Sequence, residues 1–254
     1  DMFLGGIIPG LLMVIAISAM GVVTAMRNKL PTTPFKVKEA FDAVKFSAGE
    51  LLLPIIILTG YFLGIMTIVE TSAVAVLYTI ILEVFIHKDI KVKDLPKTAM
   101  KAVPIIGGVL IILTVARGLS YYIVDAEVPF QMSAWVQANI SSKYVFLILL
   151  NIALLITGCL MDIFSAIVVV APLIIPLGEI FGIHPVHLGV IFLANLELGY
   201  LTPPVGLNLF LASYRFNEPL VKVYRNVIPF FLILLISVLL ITYVPWFSTA
   251  LLPG

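Results

Sequence analysis

Thr202, Pro203 and Pro204 stand together inside an apolar run, with Gly199 and Gly206 on either side and Asn195, Glu197 and Asn208 close by along the chain. Consecutive prolines remove two backbone donors and bar regular helix. The flanking glycines permit backbone angles that other residues avoid. The run should therefore form two half-helices joined by unwound backbone, with carbonyls and amides freed between them. Carbonyl oxygens and the Thr202 hydroxyl suit a hard cation such as sodium, and exposed helix amino ends suit a carboxylate. A plain proline kink would explain the prolines but not the paired glycines and polar side chains. Glu197 is a carboxylate near the centre of a span. It could face a cavity, or pair with a cation such as Arg215 or Arg117.

A second candidate is Gly158-Cys159-Leu160-Met161-Asp162, between the apolar arms 144–157 and 163–181. If both arms crossed a bilayer, this join would be a cytoplasmic loop, yet it carries no basic residue and is mostly apolar. A re-entrant hairpin fits better, with Pro172 and Pro176 breaking the returning arm and the tip buried, because irregular backbone at membrane depth must be satisfied by protein or a watered cavity. Asp162 would sit at that tip. It could serve transport, as costly intramembrane carboxylates usually do, or sit at the positive end of a helix dipole.

Other chemistry is thinner. Thr67-Ile68-Val69-Glu70 matches a capping box, a structural device. Glu50 and Glu83 lie near span ends and read as interfacial. His184 and His187 could share a helix face, but no third ligand accompanies them, so no transition-metal site is expected. The single cysteine, Cys159, excludes an internal disulfide framework. No phosphate loop, nucleophile elbow or Cys-His cluster is present, which argues against an enzyme and for no organic cofactor.

The elements that must position these residues follow from composition. Hydrophobic residues make up 61% of the 254-residue chain and charged residues 11%, far fewer charges than soluble domains carry. Much of the surface must therefore face lipid, and the net charge of +1 gives no argument for nucleic acid. Spans are predicted near 3–26, 50–67, 70–87, 104–124, 144–160, 163–182, 186–214 and 227–246. The connections 27–49, 88–103 and 215–226 hold most of the Lys and Arg residues, and threading the spans from an outside start puts all three inside. Residues 34–48 and 91–103 alternate apolar and charged positions at near-helical spacing. They read as amphipathic helices on the membrane surface or as ordinary cytoplasmic loop helices. Residues 2–26 have Arg27 and Lys29 after them and no basic segment before them, unlike a secretory signal. They are read as a true span, and the chain as a fragment or processed piece.

At these motifs the chain resembles the large membrane subunit of TRAP (tripartite ATP-independent periplasmic) transporters. The most characteristic stretch runs from Gly189 through Asn195, Gly199, Thr202-Pro203-Pro204 and Gly206 to Phe210. Gly5–Gly10, Glu70–Tyr78 and Gly158–Pro176 fit as well, and the similarity covers essentially the whole chain. Where family members often read TPTEAA, this chain has Thr67-Ile68-Val69-Glu70-Thr71-Ser72, which weakens any direct role for Thr67.

The resemblance implies an all-α polytopic membrane protein containing one inverted repeat of an elevator-type ion-transporter fold, with a re-entrant hairpin and a discontinuous helix. The first repeat, and one sodium site with it, would lie in an N-terminal half of the same subunit. The expected organisation is an inter-repeat helix with a surface helix (1–49), scaffold-side helices (50–140), a transport domain of hairpin and broken helix (141–218) and a final span (219–254). Gly158, Asp162, Asn195, Gly199, Thr202 and Gly206 are expected to form or frame a sodium site. Glu197, Pro203, Pro204, Asn208 and Ser165 are expected at the substrate cavity.

The implied function is sodium-coupled uptake of a small carboxylate, such as a C4-dicarboxylate or sialic acid, across the bacterial inner membrane. The implied partners are a small four-helix membrane subunit and a periplasmic solute-binding protein. Two rival readings are a non-transporting scaffold subunit and another ion-coupled anion carrier of the same superfamily.

Overall fold

The computed structural model describes residues 1–29, 31, 34–161, 163–204 and 206–252. Their regular structure is helical: α1 (Met2–Arg27), α2 (Val37–Phe46), α3 (Ala48–Phe62), α4 (Ile68–Ile81), α5 (Leu95–Asp125), α6 (Val128–Asn139), α7 (Lys143–Leu160), α8 (Ile163–Ile180), α9 (Pro185–Gly199), α10 (Leu207–Phe216), α11 (Leu220–Tyr243) and α12 (Trp246–Thr249). Among the described residues, five helices are long and apolar enough to cross a membrane: α1, α4 with the π-helical turn Leu82–Ile86 that extends it, α7, α8 and α11. Large apolar side chains remain uncovered along them, with Val14, Ile15 and Met26 of α1 all more than half exposed. Water would not tolerate that surface and lipid would.

Contacts divide the chain into two units. One comprises Asp1–Leu30 and Gly108–Gly254, the other Pro31–Gly107, and the boundary falls inside α5. Helix α1 packs on α9, α11 and α12.

In the smaller unit, α2 packs on α3 and α3 on α4. The Tyr78 hydroxyl donates to Gly49 O at 2.8 Å. Leu82 covers Gly49, where an added Cβ would stand 2.5 Å from Leu82 Cδ1. Helix α4 starts with the expected capping box. Thr67 N donates to Glu70 Oε2 at 2.8 Å, and Glu70 N donates to Thr67 Oγ1 at 3.3 Å. The first surface segment is the helix α2, with Phe41 and Val44 exposed. The second is not separate. A 3-10 turn, Val92–Asp94, leads directly into the 31-residue α5. Pro96 occupies the first turn of that helix, where its missing N–H has no intrahelical acceptor to lose, and Pro104 costs a single bond further on.

In the larger unit, α9 is central. Its buried residues lie on nearly every side of the helix, from His187 to Gly199. Leu188, Ile191, Phe192 and Leu196 meet Leu147, Leu150 and Leu154 of α7 and Ala166, Ile174 and Leu177 of α8 in one apolar cluster. On another side, Ala194 and Leu198 meet Leu234 and Val238 of α11. Phe146 of α7 stacks on Phe181 at 4.5 Å between ring centroids. Helix α6 was expected only as a connection, and it packs on α8.

The expectation that Pro172 and Pro176 break the returning arm is corrected: α8 is continuous through both. The prolines are four apart, so the donor Pro176 lacks is the one that would have bonded to the carbonyl of Pro172. Two prolines therefore disturb a short, shared stretch of the ladder, which membrane helices accommodate.

Candidate functional site

The expected break is present. Helix α9 ends at Gly199, α10 starts at Leu207, and the described residues between them are not helical. The Pro203–Pro204 peptide bond is cis. Leaving α9, Tyr200 N donates to Leu196 O, Leu201 N to Leu198 O and Thr202 N to Gly199 O, a tightening last turn. The Thr202 hydroxyl also turns back, donating to Leu198 O at 3.0 Å. Gly206 restarts the chain with φ +52, where a side chain would be strained, and its missing Cβ would stand 2.8 Å from Thr202 O. Pro203 and Pro204 are exposed, and Pro204 O accepts from the Tyr224 hydroxyl of α11 at 3.3 Å. Leu201, Thr202 and Pro203 with Tyr224, Ile228, Phe231 and Leu232 enclose a cavity of about 370 Å³.

The hairpin tip reaches this break. A Cβ on Gly199 would stand 2.6 Å from Gly158 Cα, and a Cβ on Gly158 would stand 2.8 Å from Leu196 O. Only glycine at both positions lets the two backbones touch. Cys159 O accepts from Gly206 N at 3.4 Å, joining the end of α7 to the start of α10. Helices α7 and α9 run in the same sense and meet at their carboxyl ends. Those ends carry the negative poles of both helix dipoles and the carbonyls that lack intrahelical donors. Each carbonyl oxygen has two lone pairs, so one already hydrogen-bonded can still ligate a cation.

Of the expected sodium-site residues, the structure brings Gly158, Gly199, Thr202 and Gly206 together. Asp162 lies outside the described residues. Asn195 is buried, but its amide turns away from the break and donates to Asn151 Oδ1 at 2.7 Å and Ile191 O at 2.9 Å. At the expected substrate cavity, Ser165 is half-buried on the first turn of α8. Glu197 is exposed and accepts from Asn208 Nδ2 at 3.4 Å, a bridge from α9 across the break to α10. Among the described residues the Lys–carboxylate ion pairs join Lys36 to Glu39 and Lys222 to Glu218, and His87 lies 3.5 Å from Glu50 and 3.9 Å from Glu83, so Glu197 is in none of these pairs. Arg215 is exposed on α10, and the side chain of Arg117 lies outside the description.

Two groups were not anticipated. Glu50, Glu83 and His87 converge with ligand atoms within 4.8 Å of one another at a partly exposed join of α3 and α4. Their meeting depends on the π-helical turn, which has no sequence signature. The other is a buried polar chain. Asn151 Oδ1 accepts from Asn195 and from the Thr242 hydroxyl, the latter at 3.0 Å. Thr242 O lies 3.2 Å from His187 Nε2, and His187 Nδ1 lies 2.5 Å from Ser248 Oγ. A carbonyl only accepts, so in the neutral ring Nε2 carries the proton and Nδ1 accepts from Ser248.

Helices long and apolar enough to cross a membrane, with uncovered apolar faces, define a polytopic membrane protein. The chain belongs to the family of the tripartite ATP-independent periplasmic transporter, DctM component, whose model matches residues 1–247. It is 33% identical to the C4-dicarboxylate TRAP transporter large permease protein DctM of Pseudomonas aeruginosa and 34% identical to the protein of that name from Vibrio cholerae. In each case the match covers 98% of this chain and 59% of the relative. It is also 29% identical to the sialic acid TRAP transporter permease protein SiaT of Haemophilus influenzae, over 98% of this chain and 40% of that protein. The chain thus spans about three-fifths of the length of the large permease proteins it matches.

Proposed function

We propose that this chain is the carboxyl-terminal part of a TRAP permease and supplies one of its sodium sites, so that sodium drives uptake of a small carboxylate across the bacterial inner membrane. The observation that carries this reading is the convergence of the α7 and α9 carboxyl ends at Gly158 and Gly199, beside the unwound residues 200–204 and Gly206. Two negative helix poles, several carbonyls and the Thr202 hydroxyl form a hard-oxygen environment that suits a small cation. The amino ends of α8 and α10 open next to it and suit a carboxylate. The relatives named for C4-dicarboxylate and sialic acid support a carboxylate substrate.

Uptake would require the rest of the subunit, a small membrane partner and a periplasmic binding protein, with the hairpin and broken helix sliding as one body in an elevator motion. The test is sodium-gradient-driven uptake of labelled carboxylates into proteoliposomes holding the whole complex. Thr202→Val should raise the half-saturating sodium concentration by roughly tenfold, the change expected for loss of one oxygen worth about 1.4 kcal/mol, and Thr202→Ser should retain the wild-type value. Uptake indifferent to sodium in the wild type would refute the coupling. A non-transporting scaffold would give no uptake and no sodium response.

A further inference from the structure

Helices α7 and α9 are held mostly by apolar side chains, and such contacts are non-directional. Leu147, Leu150 and Leu154 pack with Leu188, Ile191 and Phe192, a fit that excludes water but carries no hydrogen bond to single out one register. The Gly158–Gly199 contact tolerates no slip. One residue of rise is about 1.5 Å, enough to bring the side-chain-bearing neighbours Thr157 or Cys159 against the α9 backbone in place of hydrogen. Within this seam the directional contact between the two helices' side chains is the bond from Asn195 Nδ2 to Asn151 Oδ1 at 2.7 Å.

We propose that Asn151 is a positioning residue for the cation site, setting the height of α7 on α9 and so the spacing of the carbonyls at their carboxyl ends. This rests on the sodium reading given above. A single buried asparagine in an apolar helix interface is a known way to specify register. Asn151 is well placed for the task. Its Nδ2 donates to Leu147 O at 2.6 Å, so the amide orientation is fixed by its own helix. Its Oδ1 then accepts from Asn195 of α9 and Thr242 of α11. The Thr242 hydroxyl has one proton, shared between Asn151 Oδ1 and Val238 O at 2.8 Å. The chain continues through His187 to Ser248, tying in α12. All five side chains are buried, with Asn195, Thr242 and Ser248 at 1% exposure or less. Among the described residues no member of this chain hydrogen-bonds to the break, so its effect on the cation acts through register.

The test is sodium-dependent thermal stabilisation of the complete purified complex, titrating sodium chloride against choline chloride at constant ionic strength. Asn151→Leu should raise the half-saturating sodium concentration about tenfold or more, as loss of an outer-shell partner does at metal sites. Thr242→Val should raise it by less, and Thr242→Ser should restore the wild-type value. The Thr242 pair decides the matter if Asn151→Leu fails to assemble. A wild-type complex indifferent to sodium removes the sodium reading, and the positioning role falls with it. A responsive wild type whose variants melt lower at every sodium concentration, with unchanged half-saturation, overturns the positioning role alone. Thr242→Ser behaving like Thr242→Val overturns it too.

Discussion

Gly158 and Gly199 touch backbone to backbone, with no side chain between the hairpin tip and the end of the helix it meets. Gly199→Ala would place a methyl 2.6 Å from Gly158 Cα, an atom that cannot move aside as a flexible side chain could. Overpacking of this kind costs about 1–3 kcal/mol. The expected result is a lower melting temperature together with loss of sodium-driven uptake. Gly10→Ala is the control, since a Cβ there meets nothing within 4 Å, and its melting temperature should be unchanged or higher. Equal effects at the two glycines would show that the close approach is not what matters.

Thr67 and Glu70 satisfy each other's backbone at the start of α4. Thr67→Ala removes the cap and should destabilise the protein by about 1 kcal/mol. Thr67→Ser should cost little, since the hydroxyl stays. Sodium half-saturation should not move in either variant, because Thr67 and Glu70 bond to each other and belong to the smaller unit. Differential scanning fluorimetry alongside the sodium titration would check both points.

Ser248 supplies the proton that His187 Nδ1 accepts. Ser248→Ala leaves a buried ring nitrogen without a donor, and orphaned buried groups cost about 1–3 kcal/mol. Ser248→Cys, with its weaker donor, should fall between the variant and the wild type. Thermal denaturation of the two variants reads the order. An alanine variant as stable as the wild type would mean that the ring finds its partner elsewhere.

The apolar runs, their basic ends and the proline pair were legible because each is a local pattern. Composition marks a span, and a missing donor marks a break. The segment 91–103 misled because an amphipathic repeat gives the period of a helix but not whether the helix continues past Pro104 into the next span. Residues 128–139 gave no warning, since their apolar and polar positions follow no single helical face. Within the candidate site, Gly199, Thr202 and Gly206 were singled out by backbone arguments around the proline pair, and Gly158 entered with the hairpin join. Asn195 could not be placed that way. Its partner Asn151 lies 44 positions away, and nothing local to either residue says which of several buried acceptors an amide will choose. The same holds for Thr242, whose bond to Asn151 spans 91 positions.

The interval from Asn151 to Gly158 on one helix, and from Asn195 to Gly199 on the other, works as a pair of rulers. Substitutions between the marks leave the rulers intact, whereas a single inserted or deleted residue turns the helix by about 100° and shifts every mark beyond it. Both intervals should therefore keep their length in any functional version of this protein, however far the letters between them drift.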